Sequence, residues 1–240
     1  MRKNISLLLG ELEGKVSGYV ALLNFRFFNL CVKAEPAALL PISIEILGKE
    51  YDLEQVADAA KPNDFQFVIF PKDDSFRIDI SKGIAKMHPE FKQKFMKVDE
   101  NGKLIDLSDE SETDKSTKCI RLTMPEVNKD RRDLLTEGVK GLYEQCKVKL
   151  DSNFTFYGQQ VVAKLMGASK EEIDEAKEAL EDIKKQHYDL AKTYRDNKLE
   201  EIETAYQKYL SEQENKEKER KEQYDASNKD VTQGIKMVDD

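Results

Sequence analysis

Lys129, Arg131, Arg132, Lys140, Lys147 and Lys149 crowd one stretch of the chain, and Lys33 stands well upstream of them. Cations gathered on one helical segment suit contact with phosphate, where each Lys or Arg neutralises a charge and releases counterions. Arg131 and Arg132 could equally pair with Asp130, Asp133 or other acids of the same surface, and such pairs add little stability. Lys140, Lys147 and Lys149 fall near one another over a few turns, although solvated lysine faces are common on helices. Phe154 and Phe156 follow them and suit a base-stacking or partner surface. Aromatics on the apolar stripe belong in the core, so Phe156 is the one expected to be exposed.

Covalent chemistry has fewer candidates. His88 and His187 are the only histidines. His88 precedes Pro89 near the end of a predicted helix and His187 sits on an apolar stripe, so packing outweighs catalysis for both. No Walker A or dinucleotide glycine pattern is present, and no one pair among the many carboxylates stands out. Cys31, Cys119 and Cys146 are odd in number, widely spaced and outside any CxxC pattern. Neither a disulfide framework nor a metal site is expected, and a reducing compartment fits better. Neither an enzyme nor a cofactor is expected.

The cations must be positioned by helices. Ile5, Leu8, Leu9, Leu12, Val16, Tyr19, Leu23, Phe27 and Leu30 recur at helical spacing and predict a first helix. Gly10, Gly14 and Gly18 form a ridge on it that would let another helix come close. Phe25 and Phe28 lie off the stripe, so this helix should meet more than one neighbour. Leu135, Val139, Leu142, Cys146, Leu150, Phe154, Tyr157, Val161 and Leu165 predict a second helix, ending near Gly167. Ser169 and Glu172 form a capping box that opens a third, whose stripe runs from Ile173 to Tyr209. That helix would be roughly 60 Å long. These helices can bury their stripes only against one another, as an elongated three-helix bundle.

Between the first and second helices the period changes. Ile42, Ile44 and Ile46 alternate as a strand with a turn at Gly48 and Lys49; 64–71 reads as a central strand and 75–87 as a helix. Met96 to Leu107 holds two runs about Asn101-Gly102, a strong hairpin signal. An acidic loop spans Asp106 to Thr117, and Cys119 to Met124 reads as a strand stopped by Pro125. Asn128 then suits an N-cap. The expected class is α+β, with a small α/β sandwich domain over 34–125 inserted into a discontinuous bundle of 1–33 and 126–210. Residues 211–240 form a charged, partly disordered tail, whose first half could extend the third helix as a solvated single helix.

Charged residues make up 36% of the chain, aromatics 8%, and Trp is absent, which favours long solvated helices over one thick core. A net charge of −8 argues against a generally basic nucleic-acid binder and against DNA, so any RNA contact must be local. The apolar run near the N-terminus is broken by Glu11 and Glu13, and no stretch is long enough to suggest a membrane span.

An inserted module between the first and second helices of such a bundle resembles the ribosome recycling factor family. Pro125, Asp130, Arg131 and Arg132 stand where that family has its hinge proline, short acidic segment and arginine pair. Gly48, then Leu53, Gln55, Val56 and Ala57, then the strand FQFVIFP, then Lys82 and Ile84, follow the family's module in order. Ala34 and Pro36 match the Ala and Pro that precede Leu39 and Ile42. The likeness runs nearly to Leu210.

The resemblance implies binding to the ribosome after peptide release, with contacts to large-subunit ribosomal RNA, and splitting of the subunits with elongation factor G. The bundle would anchor while the module swings about Leu30, Cys31, Val32, Lys33 and Ala34 and about Thr123, Met124, Pro125, Glu126 and Val127. A cytoplasmic monomer is expected, or an organellar protein if a targeting segment precedes this chain. One departure bears on function. At the family's basic positions Leu30 and Lys33 end the first helix. The second keeps Lys147 and adds Lys149, but its arginine run is replaced by Asp151, Ser152, Asn153, Phe154, Thr155 and Phe156. Loss of cations weakens phosphate binding. The alternative is a paralogue that acts as a protein-interaction or ribosome-associated factor without recycling activity. A purely structural helical protein is a third reading.

Overall fold

The computed structural model describes residues 2–98, 102–106 and 117–236, with side chains followed to Tyr224. Helix α1 (Lys3–Asn29) buries Ile5, Leu8, Leu9, Leu12, Val16, Val20, Leu23 and Phe27, the predicted stripe with Val20 in place of Tyr19. The glycine ridge does not carry a helix: a Cβ at Gly10, Gly14 or Gly18 would meet nothing. Their spacing places them on the side of α1 away from the core.

In chain order the module then adds β1 (Ser43–Ile46), β2 (Lys49–Asp52), the single turn α2 (Leu53–Val56), β3 (Ala57–Asn63), β4 (Gln66–Pro71), α3 (Arg77–Met87), β5 (Lys92–Val98), β6 (Leu104–Asp106) and β7 (Thr117–Thr123). Strands β1 and β2 form a hairpin turned at Leu47 and Gly48, both with positive φ (51° and 76°), one residue earlier than the sequence suggests. The other five pair antiparallel in the order β3-β4-β7-β5-β6. Strand β3, ADAAKPN, has no apolar alternation and contains Pro62; as an edge strand with a register shift it tolerates the proline. Its position explains why no strand is expected there from sequence. The tip of the predicted hairpin at Asn101 and the acidic loop over 107–116 lie outside the described residues.

Helix α3 lies on β1, where Gly83 is obligatory: a Cβ there would stand 2.5 Å from Ile44 Cδ1 and 2.8 Å from the Ser43 carbonyl oxygen. Phe67, Ile69, Ile120 and Leu122 from the sheet pack with Ile44, Ile80 and Ile84 in the main module core. Val68, Met96 and Cys119 form a small cluster of their own. His88 ends α3 as a buried, satisfied ring. It stacks on Phe91 at 4.6 Å, its Nε2–H reaches the Ala38 carbonyl at 2.9 Å, and Nδ1 faces Glu90 at 3.0 Å.

Helix α4 (Lys129–Lys164) starts at Asn128, whose side chain accepts from the Arg131 backbone N–H, and gives way to Gly167 with φ 74°. Helix α5 (Lys170–Lys236) opens with the predicted box: Ser169 N–H donates to Glu172 at 3.1 Å, and Glu172 N–H to Ser169 Oγ at 3.2 Å. Arg2 reaches Glu172 at 3.1 Å, tying the start of α1 to the same corner. The three helices pack pairwise around one core containing Leu12, Leu23, Val139, Leu150, Phe154 and Ile202. His187 lies in this bundle, with Nδ1–H donating to the Ile183 carbonyl at 2.8 Å. Residues 211–236, expected as a partly disordered tail, continue α5 as helix. Glu, Lys and Gln lose little rotamer freedom in a helix, and their mixed charges interact three and four residues apart.

Candidate functional site

The two chain crossings between bundle and module lie side by side and are well packed. Cys31, Ala34 and Met124 belong to the module core, whereas Val32 and Val127 belong to the bundle core. Neighbouring residues thus point into different cores. Ala34 N–H donates to the Asp64 carbonyl at 2.7 Å and Met124 N–H to the Phe65 carbonyl at 2.9 Å, which binds both crossings to the β3–β4 turn. Leu30, at the end of α1, packs close to Gly138 of α4; a Cβ there would stand 3.4 Å from its Cδ2. Lys33 pairs with Glu35 at 3.3 Å, which raises its pKa.

Arg131 joins the two crossings. One guanidinium nitrogen donates to the Cys31 carbonyl at 2.6 Å and the other to the Pro125 carbonyl. Burial lowers its pKa, with Glu90 as the main opposing charge. Its donors therefore serve backbone carbonyls, and it is a poor candidate for RNA contact. Arg132 faces outward: its guanidinium lies 4.5 Å over the Tyr206 ring and pairs with Asp133 at 2.7 Å.

Lys129, Lys140, Lys147 and Lys149 are exposed, but they do not form one patch. On a helix Lys140 and Lys147 share a stripe, while Lys149 points to nearly the opposite side. There Lys149 lies 5.3 Å over Tyr19 of α1. Arg26 donates to Gln145 at 3.3 Å, and Lys15 lies 5.2 Å over Tyr157. Lys15, Lys149 and Arg26 thus line the seam between α1 and α4, with Tyr19, Leu22 and Leu142 beside them. Sequence reasoning missed Lys15 and Arg26. The available signal was their separation by about three turns, which puts them on one face of α1.

Phe154 is core and not a partner surface: it is 7% exposed and stacks on Tyr188 at 5.8 Å. Phe156 is 53% exposed, with its neighbour Tyr157 edge-on at 5.3 Å. Leu134, Val148 and Val162 are also exposed on α4, as is Met166 in the turn that follows it. Asp151 accepts a hydrogen bond from the Tyr188 hydroxyl, so this departure from the expected cationic run ties α4 to α5. Burial pushes the Tyr188 phenol up, and Asp151 pushes it further.

Comparison with known proteins gives a direct match. The family model described as ribosome recycling factor matches residues 28–208. The fold is similar to a solution structure of the ribosome recycling factor, with a TM-score of 0.63 at 19% identity, covering 85% of this chain and 100% of that one. It is also similar to a chain from models for the T. thermophilus ribosome recycling factor and the E. coli elongation factor G bound to the E. coli post-termination complex. That likeness has a TM-score of 0.51 at 20% identity and covers 84% of this chain and 97% of the other. A search of curated proteins gave no match.

Proposed function

The chain belongs to the ribosome recycling factor family, and from that premise we propose that it binds post-termination ribosomes and helps separate their subunits together with elongation factor G. The observation that carries this reading is a family match that runs through the end of α1, the module, both crossings and most of the bundle. The protein does no covalent chemistry in this reading; GTP hydrolysis belongs to its partner. Its cations hold ribosomal RNA by phosphate contact, and the module changes its angle on the bundle about the two crossings. In this reading Lys15, Arg26 and Lys149 on the α1–α4 seam make one such contact, and Lys129, Arg132, Lys140 and Lys147 are candidates for separate ones. It acts wherever the ribosomes it serves are found, as a monomer.

The test is co-sedimentation with large ribosomal subunits across a salt series, for the wild type and for a Lys147→Glu, Lys149→Glu variant. Binding should fall with salt, and the salt slope should shrink by roughly one for each lost phosphate contact. Subunit separation is then followed by light scattering with elongation factor G and GTP. Absence of binding at low salt would sink the reading. Binding without separation would favour a paralogue that uses exposed Phe156, Val148 and Val162 to hold a protein partner, a reading supported by the apolar character of this side of α4.

A further inference from the structure

Cys31 is far in sequence from His88 and Glu90, which stand two residues apart, yet the donor atoms of all three lie within 4.8 Å of one another beside the first crossing. Cys31 and His88 are each 2% exposed, while the Glu90 side chain is 35% exposed. The imidazole is aimed from both sides: its Nε2–H is held by the Ala38 carbonyl at 2.9 Å, and Phe91 stacks on its face. This leaves Nδ1 turned toward Glu90 Oε1 at 3.0 Å. A nitrogen lone pair and a carboxylate oxygen at that distance repel unless a positive species lies between or beside them. A proton satisfies the two groups alone. A metal ion satisfies them together with the sulfur.

We propose that Cys31 Sγ, His88 Nδ1 and a Glu90 carboxylate oxygen form a binding site for a divalent cation that favours thiolate and imidazole, namely zinc. Thiolate, imidazole and carboxylate are all ordinary zinc ligands, bound at about 2.3 Å for sulfur and roughly 2.0–2.2 Å for nitrogen or oxygen. Tetrahedral donors at those lengths lie about 3–4 Å apart, so a small inward movement of the three side chains completes the site. The carbonyl on the remote ring nitrogen is the usual outer partner of a metal-bound histidine, fixing both tautomer and ring angle. The partly exposed Glu90 marks the open side, by which the ion enters and where water supplies a fourth ligand. Arg131 borders the cluster with one positive charge, and the thiolate and carboxylate together outweigh it. Binding requires Cys31 as thiolate and the Nδ1 lone pair free, so protons pass to solvent as the metal enters.

Bound zinc would join Cys31 of the crossing to the end of α3, holding the first crossing against the module. The site does not depend on ribosome binding, and its test is separate. The full chain, stripped with a chelator, is titrated with cobalt(II) and then with zinc(II). One equivalent of cobalt should bind with the visible absorption of a tetrahedral site and a near-ultraviolet sulfur-to-cobalt band, and one equivalent of zinc should displace it. Cys31→Ser should remove the sulfur band. Glu90→Gln, at the open edge and verified as folded by circular dichroism, should weaken zinc binding at least about tenfold, since even outer-shell changes cost that much. A wild type without the sulfur band overturns the proposal. So does a band that survives Cys31→Ser, or a folded Glu90→Gln protein that binds zinc like the wild type. If Cys31→Ser fails to fold, the wild-type spectrum and Glu90→Gln decide.

Discussion

Arg131 and Arg132 are adjacent in sequence and opposite in consequence. Arg131 gives two charge-assisted hydrogen bonds to carbonyls on separate crossings, so Arg131→Ala leaves buried acceptors unsatisfied. Bonds of this kind each contribute about 1.5–3 kcal/mol, and the expected loss is roughly 2–4 kcal/mol in a denaturant melt. Arg132→Ala should leave the melt nearly unchanged while weakening ribosome binding. Equal destabilisation by the two would refute the clamp. Tyr188 supplies the pH dependence. Its folded pKa is raised above the ordinary tyrosine value of about 10, so its contribution is fully present below that value and is lost as pH rises beyond it. Thermal melts between neutral and strongly alkaline pH should therefore fall less steeply for Tyr188→Phe than for the wild type. Of these residue roles, sequence reveals which side chains can carry charge. It does not reveal which charges are turned inward, because the Cys31 carbonyl is a long-range neighbour of Arg131. The same blindness hides the approach of Cys31 to His88 and Glu90, which is made only by the fold.

The helices were legible because their apolar residues repeat over many turns, and the cap at Ser169 and Glu172 was legible because it is local. Strand β3 was not, since an edge strand owes its place to pairing with β4 and not to its own composition. Gly14 and Gly83 show how little residue type says without surroundings. Gly83→Ala drives a methyl into Ile44 and the Ser43 carbonyl, and overpacking of this kind costs about 1–3 kcal/mol. Gly14→Ala meets open space in a helix interior and should stabilise by roughly 0.5–1 kcal/mol. Denaturant melts of the two variants should move in opposite directions. A stabilising Gly83→Ala would mean that α3 does not sit on β1 as described.

At the scale of the molecule, the inserted order of bundle and module could be read from the two changes of period, and an extension of the third helix past Leu210 was open, but the full length of α5 could not be read. Beyond Leu210 the apolar stripe that marks burial is absent, and helix persists on propensity and charge spacing alone. A chain ending at Leu210 should therefore keep the wild-type melting temperature, with a lower total helical signal by circular dichroism. A drop in melting temperature would mean that 211–236 packs on the body. The position of α5 matters more than its stability. Lys208 lies 5.1 Å over the ring of Phe65, in the very turn that holds both crossings. From that point the helix has room for about 40 Å more at 1.5 Å per residue. A rod that passes a pivot removes part of the circle through which the pivoted body can travel. In the proposed swing the module's path is therefore a sector, closed on one side by α5, with a preferred direction before any ribosome is met.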